Sequence, residues 1–82
     1  MKTLQISLNS IDKVKSFVND VTKFDYDFDL VSGRYVIDAK SIMGLFTLDR
    51  EQPLQLEAET DNEAEIEKLN AAIGRFIFHP VH

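Results

Sequence analysis

The sequence has no cysteine. That excludes a disulfide framework, a redox dithiol and a thiolate metal site, so an apolar core must hold the fold unaided, in keeping with a reducing cytoplasm. Basic residues are scarce, nine against 14 acidic ones for a net charge of −5, which weighs against direct binding of nucleic acid or of an anionic membrane. No apolar run approaches the length of a membrane span, and Met1 to Ser7 lacks the apolar region of an export signal. A cytoplasmic protein is expected. Only two histidines occur, His79 and His82, on either side of Pro80 in the C-terminal tail and with no third ligand nearby in sequence for a metal. There is no glycine-rich phosphate loop, nucleophile elbow or metal-spaced histidine pair. No catalytic constellation, cofactor or metal is expected, and the chain does not read as an enzyme.

What remains is one soluble domain. A chain of 82 residues hides only about 60% of its unfolded surface, enough for one modest core. Leu4, Ile6 and Leu8 alternate with polar residues, the period of a half-buried strand. After the turn and cap Asn9-Ser10, the residues Ile11, Val14, Phe17, Val18 and Val21 form one stripe of a helix. Phe24 to Leu30 alternates aromatic or leucine with aspartate and reads as a second strand. Val31 to Arg34 is a turn and Tyr35-Val36-Ile37 the return strand. Thr47 to Gln52 is a polar connection leading to a fourth strand with Leu54, Leu56 and Ala58 on one face. A final helix starts at Thr60-x-x-Glu63 or at Asn62-x-x-Glu65, both capping-box patterns. Its buried stripe is Ile66, Leu69, Ile73 and Phe76 or Ile77, with 78–82 expected as a frayed tail. Four amphipathic strands, with helices to cover one face, predict an α+β open-faced sandwich with a largely antiparallel sheet.

Two aspartate patterns need a chemical reading. Asp25-x-Asp27-x-Asp29 resembles the opening of a calcium loop, but the sixth position is Leu30 instead of glycine and the twelfth is Val36 instead of glutamate. The solvated side of a strand accounts for it. If the fourth strand lies alongside, Glu57 and Glu59 extend the acidic face. Asp12, in the first turn of the first helix, is favourable against the helix dipole.

Lys40-Ser41-Ile42-Met43-Gly44-Leu45-Phe46 is the one stretch that packing alone does not explain. Ser41 is placed as a helix N-cap. In so short a helix, Ile42, Met43, Leu45 and Phe46 cannot all be buried, and exposed Met and Phe beside a capped hydroxyl indicate a docking surface. The run Lys40 to Gly44 resembles the segment around the regulatory serine of HPr, the histidine-phosphorylatable phosphocarrier family of the bacterial sugar phosphotransferase system. Size, element order and spacing extend the resemblance over nearly the whole chain.

The resemblance implies an HPr-like βαββαβα fold, residues 1–82, with strand order 1-4-2-3. It also implies Ser41 as a phosphorylation site for an HPr-type serine kinase, and a transcription regulator as a further protein partner. The family's phosphoryl-carrying histidine corresponds to Asp12, its arginine to Val14 and its proline to Lys15, so histidine phosphotransfer is not expected at this site. Ile42, Met43 and Phe46 are the expected dock, with Lys13 or Lys15 supplying charge in place of the arginine. The other reading of the residues is a constitutive interaction module in which Asp12 and Ser41 serve only as helix-start residues.

Overall fold

The computed structural model describes residues 2–78. The elements run β1 (Lys2–Ile6), α1 (Ile11–Val21), β2 (Phe28–Ser32), β3 (Tyr35–Asp38), α2 (Ile42–Leu45), β4 (Leu54–Ala58) and α3 (Glu63–Ile73), the last continued by a 3₁₀ turn, Gly74–Phe76. The strands form one antiparallel sheet in the order β1-β4-β2-β3. This is the α+β open-faced architecture, with the strand order that the resemblance implied.

Register carries the sequence alternation across the sheet. Leu4, Leu56, Leu30 and Ile37 are successive cross-strand partners, as are Thr3, Glu57, Asp29 and Asp38 in the next row. The first row faces the helices and the second faces solvent. Val14, Phe17 and Val21 of α1, Leu45 of α2 and Leu69 and Ile73 of α3 close the core over the apolar row. Phe17 meets Phe76 edge to face at 5.8 Å, which ties the start of the sandwich to its end.

Several expectations change here. The strand expected from Phe24 begins only at Phe28, and ahead of it the contact with the β4 side shrinks to one main-chain bond, from the Glu59 N–H to the Asp27 carbonyl at 2.9 Å. Residues 24–27 instead bend over the aromatic cluster Phe24, Tyr26 and Phe28. Of the three aspartates, only Asp29 lies in the strand, opposite Asp38 and Glu57. Ile11 is 55% exposed and is not part of the buried stripe. Leu48, in the connection read as polar, is buried. The turn narrows to Gly33-Arg34, with Ser32 opposite Tyr35. Gly33 has φ +59 and no other described residue has positive φ, the pattern of a II′ hairpin with glycine at its first central position.

At α3 the cap is Asn62, whose side chain accepts from the N–H groups of Ala64 and Glu65, and Phe76 rather than Ile77 enters the core. Phe78, assigned to the tail, donates its N–H to the Gln5 carbonyl at 2.8 Å. The remainder of that tail, with both histidines, lies outside the described residues.

Helix α2 docks on β3 at Gly44. A Cβ there would lie 2.5 Å from Ile37 Cγ2 and 3.2 Å from Ser41 Oγ. Gly44→Ala should therefore cost about 1–3 kcal/mol of overpacking, against a helix-propensity gain of about 1 kcal/mol or less. A urea midpoint equal to or above the parent's would contradict this. Tyr26 gives a pH prediction. Burial, and then the Glu65 carboxylate, push its phenol above the ordinary value of 10.0. The unfolded phenol thus ionises first, and the stability that Tyr26 contributes is present below that value and lost as pH rises through the folded pKa. Denaturant midpoints from pH 9 upward should fall further for the parent than for Tyr26→Phe.

Candidate functional site

The candidate site is built on α2 and the first turns of α1, which pack against each other. Ser10 caps α1 by accepting the Lys13 N–H at 3.2 Å. Ser41 does the same for α2, accepting the Gly44 N–H at 3.2 Å. At the other end Thr47 Oγ1 donates to the Gly44 carbonyl at 2.6 Å, so both main-chain groups of Gly44 are taken up by flanking hydroxyls. Because α2 is a single turn, its macrodipole is small.

Within α2, Met43 is 74% exposed, Phe46 is exposed, Ile42 is half-buried against the core and Leu45 is fully buried. The Arg50 guanidinium lies over the Phe46 ring, 5.5 Å from its centroid. Lys40 is engaged elsewhere. Its Nζ donates to the Phe24 carbonyl at 2.7 Å and lies 5.7 Å from the Phe28 ring centroid, which anchors the bend at residues 24–27 to the start of α2.

In α1, Asp12, Lys13 and Lys15 are exposed and Val14 is fully buried. The buried valine is a core residue and presents no charge to a partner. Asp12 and Lys13 line a cleft of about 230 Å³ with Ser16, Arg75 and Phe76, and Lys15 is not among its lining residues. Arg75 is held on two sides. Its Nη2 donates to Asp20 Oδ2 at 2.7 Å, and its guanidinium is 4.6 Å from the Phe76 ring centroid. Sequence reasoning missed Arg75 because nothing in its local pattern ties it to α1, 55 residues away along the chain from Asp20. Ile11 was missed for the opposite reason, since its helical spacing fits the buried stripe although it lies exposed at the first turn. Among the described residues, no group of His, Cys, Asp or Glu is arranged to hold a metal ion, and no helix is long and apolar enough to cross a membrane.

No protein-family model matches the sequence, and no curated protein matches it. Solved structures do. The crystal structure of HPr-C-His from Thermoanaerobacter tengcongensis is 28% identical at a TM-score of 0.70, over 89% of this chain and 90% of that one. The phosphocarrier protein HPr from Bacillus anthracis is 27% identical at 0.66, over 87% and 92%. Crh, the Bacillus subtilis catabolite repression protein, whose crystal structure is described as a domain-swapped dimer, is 29% identical at 0.62, over 93% and 90%. With the strand order β1-β4-β2-β3 and these likenesses along nearly its whole length, the chain is an HPr-like protein.

Proposed function

We propose that this chain is a regulatory binding protein of the HPr family, controlled by phosphorylation at Ser41, and not a histidine phosphocarrier. The observation that carries the reading is the pairing of a half-exposed capping serine with exposed apolar side chains, Met43 and Phe46, on the same one-turn helix. Docking through Met43, Phe46 and the exposed part of Ile42 is supported by their exposure. Lys13 and Lys15, exposed on α1, are the charges available to a partner.

The covalent step is transfer from a nucleoside triphosphate on an HPr-type serine kinase. A bond forms between Ser41 Oγ and the terminal phosphorus, the phosphoanhydride bond breaks, the nucleoside diphosphate leaves and the hydroxyl proton passes to a base on the kinase. The product carries nearly two negative charges and three acceptor oxygens next to Met43 and Phe46, which converts an apolar dock into a mixed one. A transcription regulator is the proposed reader of that change.

The loss of phosphocarrier function rests on Asp12. An imidazole nitrogen accepts and passes on a phosphoryl group, whereas a carboxylate needs activation, usually with a metal ion. Asp12 has around it only Lys13, Ser16, Arg75 and Phe76 as lining residues of the cleft. The second reading, a constitutive module, is favoured by the fact that the Ser41 hydroxyl already has a structural task as the α2 cap.

Intact mass after incubation with ATP and a family serine kinase separates the two. One added phosphate is expected on the parent and none on Ser41→Asn, which keeps an N-cap acceptor, whereas Ser41→Ala would lose about 1 kcal/mol with the cap. An unmodified parent, beside an HPr that the same kinase labels, supports the constitutive module. Incubation with phosphoenolpyruvate and the phosphotransferase enzymes should leave the parent unlabelled, and a label at Asp12 would refute the loss of phosphotransfer.

A further inference from the structure

The two edges of the sheet are finished differently. Along β1 the chain covers itself: Ile6 bridges to Ile77, the Ser7 N–H donates to the Phe76 carbonyl at 2.7 Å and the Phe78 N–H to the Gln5 carbonyl at 2.8 Å. Along β3 no described segment lies outside the strand. The strand is short and ends in a charge, Asp38, but Tyr35-Val36-Ile37-Asp38 contains no proline, no lysine and no bulge. Instead it carries Tyr35 at 68% and Val36 at 64% exposure.

The direction of the main chain is fixed by its ladder. The Ala39 N–H donates to the Phe28 carbonyl at 2.9 Å, so alternation turns Tyr35 and Ile37 toward β2 and Val36 and Asp38 outward. The outward Asp38 carbonyl accepts the Ser41 N–H at 3.0 Å. Val36 is left with both its N–H and its carbonyl facing away from the sheet.

We propose that two copies of this chain pair edge to edge through β3, antiparallel about a two-fold axis at Val36, joining their sheets into one. In this register Val36 exchanges both main-chain bonds with Val36 of the second copy. Arg34, the turn residue that precedes β3, then lies beside Asp38 at the far end of the second copy's strand, and Asp38 beside its Arg34. On the helix face Tyr35 meets the other copy's Ile37. Arg34 is exposed and forms no ion pair with a described residue.

The alternatives are worse. A shift of the axis by two residues places Asp38 against Asp38 or Arg34 against Arg34, and like charges directly opposite are destabilising. An axis lying between residues would put facing side chains on opposite faces of the sheet. Only the Val36 register matches charge, burial and hydrogen-bond direction together. A four-residue strand makes an interface below about 1,200 Å², hence a weak dimer that is populated at millimolar concentration.

Sedimentation velocity over a concentration series of the full chain tests this through a charge swap. Arg34→Asp and Asp38→Arg should each self-associate about tenfold more weakly than the parent, because each homodimer now sets like charges opposite. An equimolar mixture should regain the parent's dimer, since both cross-copy contacts are then of opposite sign. Val36→Pro removes only an outward N–H, which an edge strand tolerates, and should abolish the dimer. It also keeps the test decisive if Asp38→Arg, which loses the acceptor of the Lys40 N–H, fails to fold. A parent that stays monomeric at millimolar concentration, or a dimer indifferent to Arg34→Asp and Val36→Pro, overturns the proposal.

Discussion

Strand β4 is bonded to β1 along one side and to β2 along the other. The two halves of the sheet meet nowhere else. Its inward residues Leu54, Leu56 and Ala58 are buried and supply the middle of the apolar floor on which the helices rest. The last paired residue of β4, Ala58, stands opposite Lys2 and Phe28. One more main-chain bond runs from the Glu59 N–H to the Asp27 carbonyl at 2.9 Å, and the aromatic run ahead of it bends toward α3, where the Tyr26 hydroxyl reaches the Glu65 carbonyl. Lys40 then ties that bend to α2 through the Phe24 carbonyl.

Much of this was legible in the sequence because burial on one face of a strand imposes a period of two and burial on one side of a helix a period near four. Leu54, Leu56 and Ala58 announced their strand, and Val14, Phe17 and Val21 their helix. Local patterning failed where a residue's fate depended on a distant neighbour. Phe24 to Asp27 has the alternation of a strand, yet its contact with the β4 side is one main-chain bond, from the Glu59 N–H to the Asp27 carbonyl. Ile11 has the spacing of a core residue but stands at the first turn of α1 and is left exposed. Leu48 looked like part of a polar loop and is buried because the chain must return across the core to reach β4.

The site divides in the same way. Ser41 as a cap and Met43 as an exposed apolar side chain could be read from five consecutive residues, since both follow from the geometry of one helical turn. The role of Gly44 could not. Its lack of a side chain matters because Ile37 of a different element comes against it, a contact that no spacing rule encodes. Arg75 is a similar case, fixed by Asp20 and Phe76 beside a cleft whose other wall belongs to α1. The segment resembling the family's regulatory serine therefore has two independent reasons for its residues: a hydroxyl that caps α2, and a glycine that lets α2 approach the sheet.

The strand order also governs how the chain assembles. β2 and β3 are joined by a two-residue turn, so their pairing closes a very short loop. Among the described strands β1 pairs only with β4, with residue 2 opposite residue 58, and that contact must close a loop spanning most of the domain, with the entropy cost and slow formation typical of non-local pairs. During synthesis β1 consequently cannot take its place in the sheet until β4, which ends at Ala58, has left the ribosome.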